Sequence, residues 1–425
     1  MTDTGVIPTT CPQCGTNVTR LRATHWCPRC EWNLDQYDPG RHTPAFGWWR
    51  LDRWVHRTAY RWNARQFHAL VKGDLSRSGL TPTRIAVILA SILLLLGVAA
   101  LIVGGVLLIV HDFPSLTIVP GVLLVLIGLV LRPRFGRLDP LWQPLTREQA
   151  PTLFQLIDRI AAELKTPAPH MVVCDRQVNA SAGAIGLRRR RVLTLGLPLW
   201  IQLPPQQRVA LLAHELGHFS NGDVRRGPLT QPAFLTLGMA AALLRPNPDE
   251  LESDRGFVEW LGIYLGHIVL SMLSGVLSLL HLGLLCLAMR DSQRAEYLAD
   301  ERAADVAGST AMCGVLDSLV VSAEVTGMLA RAARNSDDVA VWRKATAESQ
   351  QRMANELPLL RQLSLSDEAS LFATHPPLGL RHRMITNRPW RDPRVVLTEE
   401  ESLRIDAELE KLLVRARRTI GALDT

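Results

Sequence analysis

The chain has 425 residues, above the size at which one core stops growing, so more than one structural unit is expected. Hydrophobic residues make up 47% and charged ones 20%, yet 47 Lys+Arg against 40 Asp+Glu leave a formal charge of +7 and a pI near 9.3. The low charge content is concentrated in a few long apolar runs, which excludes a soluble globule and a disordered chain. Basic residues flanking those runs follow membrane topology before they suggest a polyanion, so no nucleic-acid partner is expected.

In chain order, residues 1–40 carry Cys11-Pro-Gln-Cys14-Gly15 and Cys27-Pro-Arg-Cys30. Two Cys-x2-Cys knuckles each bite one face of a tetrahedral ion, and this pattern predicts a structural zinc ribbon with no open coordination position. Such a ribbon holds a fold and offers a surface for a protein partner. Cys174, Cys286 and Cys313 are scattered and read as buried, inert thiols.

Residues 41–83 contain a helical stretch whose projection puts Trp48, Leu51, Val55, Ala59, Trp62 and Leu70 on one side. Arg50, Arg53, Arg57, Arg61 and Arg65 fall on the other. The expectation is an amphipathic helix at the membrane interface, and the alternative is a helix packed on the protein with a solvated basic face.

Ile85 to Val110 is uncharged and long enough to cross a bilayer of roughly 30 Å, and Phe113 to Leu131 follows after His111-Asp112. These form a first transmembrane hairpin within residues 84–131, too far from the N-terminus to be a cleaved signal peptide. A second hairpin, within 228–289, uses Pro228 to Leu244 and Trp260 to Met289. The shorter segment has a buried core helix as its alternative. His267 and His281 in the last span read as interior packing partners.

Arg77, Arg84, Arg132, Arg134 and Arg137 flank the first hairpin, whose tip has no Lys or Arg. Arg225, Arg226, Arg290 and Arg294 flank the second, whose tip carries Asp249, Glu250, Glu252 and Asp254 against Arg245 and Arg255. Positive residues stay inside, so the N-terminus, residues 132–227 and residues 290–425 are expected on the cytoplasmic side of a multi-pass cell-membrane protein.

Between the hairpins, His170 to Cys174 and Arg191 to Leu195 alternate like strands. The small residues of Asn179-Ala180-Ser-Ala-Gly183 leave room for an extended peptide to add a strand, with a turn-forming Asn179 as the alternative. Arg188 to Arg191 reads as a solvated turn. His214-Glu215-Leu216-Gly217-His218 lies between the helix-starting Pro204-Pro205 and the stop Asn221-Gly222. On a helix the two histidines share a face one turn apart, ready to bind one zinc with Glu215 able to reach a bound water.

A catalytic zinc of this kind needs a third protein ligand. Glu296, in Arg294-Ala-Glu296-Tyr-Leu-Ala-Asp300, is the best candidate, with Asp300 one turn on to orient a ligand histidine and Glu301 as a weaker rival. Ligands across a bilayer cannot share an ion, so an even number of spans must separate His218 from Glu296. Two are predicted, and the metal is expected within roughly 10 to 15 Å of the cytoplasmic membrane face at 1.5 Å per helical residue.

These motifs, with Asn179-Ala180 upstream, Asn221-Gly222-Asp223 after the histidines, and His375-Pro376-Pro377 and Arg381 downstream, resemble the HtpX and CAAX-prenyl-endopeptidase group of membrane zinc metallopeptidases. The likeness runs from the first hairpin to about residue 390; the ribbon and the Arg-Trp helix lie outside the family's common core. The resemblance implies a gluzincin-like fold, and with the two hairpins read above the expectation is a mainly α membrane protein with four transmembrane helices and an α+β cytoplasmic metallopeptidase domain. It implies zinc on His214, His218 and Glu296, and Glu215 as base. His375 becomes the oxyanion donor, with an ordered loop histidine as the alternative. Arg381 either binds substrate or steadies that loop.

By the same resemblance, the substrates are unfolded or misassembled membrane proteins, or prenylated peptides. Two rival readings come from other classes. An intramembrane site-two-type protease would bury its His helix in a span, against which Gln206, Gln207, Arg208 and Asp223 argue; a non-catalytic scaffold or chaperone would not need Glu215. Residues 305–365 and the tail after Leu403 read as helices without chemical content.

Overall fold

A computed structural model of the chain describes residues 9–21, 24–42, 44, 46–73, 75, 82–111, 113–132, 142–186, 188–221, 234–247 and 257–423. Several topology residues named above lie outside that set: Arg77, Asp112, Arg134, Arg137, Gly222, Asp223, Arg225, Arg226, Asp249, Glu250, Glu252, Asp254 and Arg255. In chain order the elements are β1 (Thr19–Leu21), β2 (Thr24–Trp26), α1 (Trp49–Val71), α2 (Pro82–His111), α3 (Ile118–Val130), β3 (Gln143–Leu145) and α4 (Pro151–Glu163). Then come β4 (Met171–Asp175), β5 (Ala180–Ile185), β6 (Arg190–Gly196), α5 (Leu197–Gln202) and α6 (Pro205–Asn221). They are followed by α7 (Phe234–Leu243), α8 (Phe257–Ala307), α9 (Ser309–Val320), α10 (Ser322–Asn335), α11 (Val339–Met353), α12 (Leu357–Asp367), α13 (Leu378–Thr386) and α14 (Glu399–Gly421).

The chain divides into two units: residues 1–77, 138–224 and 292–425 form the first, and 78–137 with 225–291 the second. In the first, a four-stranded sheet runs β3-β4-β6-β5, with β4 and β6 parallel and β5 antiparallel on the outside of β6. The two strands read from alternation are present, and the small-residue stretch between them is itself the edge strand. Helix α4 covers the core because Leu153, Leu156, Ile157 and Ile160, spaced three and four apart, put one fully buried stripe against it.

Two side chains fix α6. Arg208, stacked 4.8 Å over Trp200, bonds Asp406 and Ser402 of α14 at 2.9 Å each. Gln206 donates to the carbonyls of Ala307 and Val395 at 3.0 and 2.9 Å, tying the start of α6 to the end of α8. The ribbon belongs to this unit, with β1 and β2 paired antiparallel.

Helix α1 follows the expected projection in part. Val55 and Ala59 are buried with Asp52, His56, Asn63 and Phe67, and Phe67 packs in a cluster with Leu380 and Met384. That part of the apolar stripe serves the protein core, and the buried Asp52 beside it accepts from the Phe46 amide at 2.8 Å. Trp48, Trp49 and Trp54 remain exposed.

In the second unit two helices are long and apolar enough to cross a membrane, α2 from Arg84 to His111 and α8 from Val258. Leu93, Leu107, Met272 and Leu279 are more than 60% exposed, as side chains facing lipid require. The other two expected spans are shorter as described: α3 has 13 residues and α7 runs only from Phe234 to Leu243. His281 lies against Gly238 and His267 is buried. The apolar pair α9 and α10 bends by 73° but is core of the first unit, with Leu316 and Leu329 fully buried.

Candidate metal centre and cavity

Helix α6 presents His214, Glu215 and His218, and the end of α8 beyond its apolar run presents Glu296 and Asp300. The helices meet at Gly217 and Ala299, where a Cβ on the glycine would lie 3.4 Å from the Ala299 Cα, in ordinary van der Waals contact. His214 Nε2 is 3.3 Å from His218 Nε2 and 3.4 Å from Glu296 Oε2, and His218 Nε2 is 3.4 Å from Glu296 Oε1. Ligands at 2.0 to 2.1 Å on a tetrahedral zinc stand roughly 3.3 Å apart, so the three donors fit one ion.

The surroundings favour a cation. Asp300, fully buried, lies 2.9 Å from His214 Nδ1, which leaves Nε2 facing the centre. Burial alone would push the His214 imidazole down, but its bonds to Asp300 and Glu296 outweigh that and hold the ring up at about 10. Burial likewise raises the Glu296 carboxyl, and His214, His375 and Arg381 together bring it well below its ordinary value. A site that stabilises a proton between these groups stabilises a divalent ion in its place.

Arg381, expected either at substrate or on its loop, is buried. Its guanidinium donates to both Asp300 oxygens at 2.8 and 2.6 Å and lies 3.5 Å from Glu296 Oε2. His375, more than half exposed, puts Nδ1 2.8 Å from Glu296 Oε2.

Beside these groups is a cavity of about 530 Å³, whose wall includes Asn179, Ala180, His214, Glu215, His375 and Arg381. All the candidate residues around the histidine pair therefore converge. Its apolar lining comes from Leu199, Leu211, Met312, Val315 and Leu319, three of them from a region read as chemically silent. Ser322 and Glu368 also line it and were missed. Their signal in sequence was slight, since an apolar face on a helix reads the same whether it meets a core or a cavity. Burial pushes Glu368 up to about 7, against the Leu378 amide that it accepts at 2.7 Å.

The four cysteines form a second donor group. Cys11 and Cys30 sulfurs are 3.5 Å apart and those of Cys14 and Cys27 are 3.4 Å apart, close to the spacing on a tetrahedral zinc with 2.3 Å bonds. Cys174 and Cys313 are buried, which pushes both thiols up to about 12, and Cys286 is half-buried.

A helix-borne histidine pair, an intervening glutamate and a distant carboxylate on a mixed α/β unit form a donor set that could hold one metal ion beside a cleft, the layout of a metal-dependent enzyme. The family model described as Peptidase family M48 matches residues 147–388. The chain is 30% identical over 181 residues to Protease HtpX of Pseudomonas putida (strain GB-1), covering 42% of this chain and 59% of the relative. To Protease HtpX of Stutzerimonas stutzeri it is 29% identical over 187 residues, 43% and 61% of the two chains. To a Protease HtpX homolog of Syntrophobacter fumaroxidans it is 24% identical over 251 residues, 57% and 78%. The chain thus spans less than two thirds of the first of these relatives. No solved structure matches it. The chain belongs to peptidase family M48.

Proposed function

We propose that the chain is a membrane-embedded zinc endopeptidase that hydrolyses peptide bonds at the cytoplasmic membrane face, with four spans, its termini inside, and unfolded or misassembled membrane proteins as substrates. The observation that carries this reading is the meeting of three mutually spaced ligand atoms with Glu215 in the wall of an apolar cavity. Family membership and two long apolar helices support the membrane metallopeptidase class. The direction of the charged flanks supports the orientation.

Zinc held by His214, His218 and Glu296 would supply a Lewis acid for the scissile carbonyl and a more acidic attacking water. Glu215 takes the proton of that water and hands it to the leaving amine. His375, on the cavity wall beside Glu296, donates to the oxygen on which charge develops. Arg381 and Asp300 act through others: the bidentate pair holds Asp300, and Asp300 holds His214. The outer edge of β5, with Asn179 and Ala180 at the cavity, accepts an extended substrate as an added strand, and the apolar lining takes one of its side chains. The four-cysteine site holds a second, structural zinc, and the ribbon offers a surface to a protein partner.

The test is cleavage of a flexible membrane protein in detergent by wild type and Glu215→Gln, with zinc counted in both. Loss of the base is expected to cost about 10²- to 10⁴-fold in kcat at unchanged zinc content. Equal cleavage by the two would refute the mechanism.

A further inference from the structure

The second knuckle of the ribbon is seated directly on α12 and α13. Trp26, fully buried next to Cys27, donates its indole N–H to Gln362 Oε1 at 2.9 Å, and Gln362 Nε2 donates back to the Pro28 carbonyl at 2.7 Å. Glu31 pairs with Arg383 of α13, and Arg41 with Asp367 at the end of α12. Trp26 and Leu34 share one core cluster with Leu363, Leu380, Met384 and Tyr297, the residue after the Glu296 ligand. A Cβ on Gly379 would fall 2.0 Å from the Arg361 carbonyl oxygen, so α12 and α13 abut backbone to backbone.

The segment joining those helices, residues 368–377, forms the cavity wall that carries His375. Its ends are closed by Glu368 on the Leu378 amide and by Ser364 on the Gly379 amide, at 2.7 and 2.8 Å. Between them it is held by Gln293 on the Ala373 carbonyl and Ser292 on the Thr374 carbonyl, at 3.2 and 3.3 Å, and by the 2.8 Å contact of His375 Nδ1 with Glu296 Oε2. The helix that launches this wall has the ribbon as one of its supports. A two-stranded ribbon this small keeps its fold through its ion.

We propose that the ribbon is a metal-held strut for the active-site wall: its ion keeps Trp26 and Gln362 seated, and their grip on α12 sets the position of the loop bearing His375. Gln362 is thus a positioning residue, and occupancy of the four-cysteine site regulates turnover at the histidine centre. This rests on the peptidase reading above. It differs from a recruiting role, because the knuckle's inner face is already taken by the chain's own helices.

The test uses the full zinc-loaded chain in detergent and compares wild type, Gln362→Ala, Cys14→Ser/Cys30→Ser, and the three substitutions combined. Peptide cleavage, zinc per chain and hydrogen exchange of the amides in 369–377 are measured. Gln362→Ala is expected to keep both zincs, lower kcat about tenfold with KM within about twofold, and speed exchange in 369–377, since small misplacements of a reacting group are costly. The cysteine pair loses one zinc and does the same or more, and adding Gln362→Ala to it changes nothing further.

Unaltered kcat and exchange in Gln362→Ala would overturn the proposal, even if the cysteine variant does not fold. Fully additive losses would also overturn it. If wild type and Glu215→Gln cleave equally, the peptidase reading fails, and the exchange measurement alone then decides the strut.

Discussion

The two donor groups of this chain differ in one respect that governs what each can do. Four cysteines from two knuckles could enclose an ion completely, whereas two imidazoles and one carboxylate would leave a position free, and that group lies beside a cavity of about 530 Å³ that has Glu215 in its wall. The first group is built within about twenty residues of chain and needs only turns. The second is assembled from α6 and the end of α8, separated in sequence by residues 225–291 of the second unit. It depends on Arg208 and Gln206 to fix the helix that carries the two histidines. Local pattern suffices for a structural ion, and tertiary architecture is required for a reactive one.

The contrast is broken or sharpened by three experiments beyond those above. The largest effect is expected from titration with a chelator: activity disappears while one zinc per chain persists, because the open centre exchanges its ion and the thiolate centre does not. Simultaneous loss of both ions would erase the distinction. Next, Asp300→Asn keeps the shape but not the charge opposite His214 Nδ1, and is expected to weaken zinc binding at the histidine centre about 10- to 100-fold in competition assays, leaving the ribbon ion alone.

The smallest effect concerns Glu368. Its carboxyl titrates at about 7 in the folded protein against an ordinary 4.5, so the native state favours the protonated form. That contribution to stability is complete below about pH 4.5 and is lost as pH rises through about 7. Glu368→Gln keeps an acceptor for the Leu378 amide. It is expected to leave the melting temperature unchanged at pH 5 and to raise it by about 2 to 4 °C at pH 8; an equal shift at both pH values would contradict the burial argument.

Much of the centre is legible in the sequence because helical periodicity is geometry: His214 and His218 four apart must share a face, and Glu296 and Asp300 repeat that spacing on the facing helix. The alternation at His170–Cys174 and Arg191–Leu195 likewise falls on two strands, Met171–Asp175 and Arg190–Gly196. What stays hidden is partner choice. The projection of α1 separates Val55 and Ala59 from the arginines correctly, but nothing in it says which part of the stripe is covered by protein: Val55 and Ala59 are buried while Trp48 stays exposed. Met312, Val315 and Leu319 have the pattern of any core helix, and only the packing around them leaves a cavity at their tips. Membrane spans are read from length, and α3 and α7, short as described, give length the least to work with.

The central claim is that Glu296 completes the ion site begun by His214 and His218. Counting zinc on Glu296→Ala and wild-type protein, with a metal-sensitive probe of the ribbon thiols alongside, tests it directly. The account predicts a fall from two ions per chain to one, with the four cysteines still protected. Two ions retained, or loss from the cysteines instead, would contradict it.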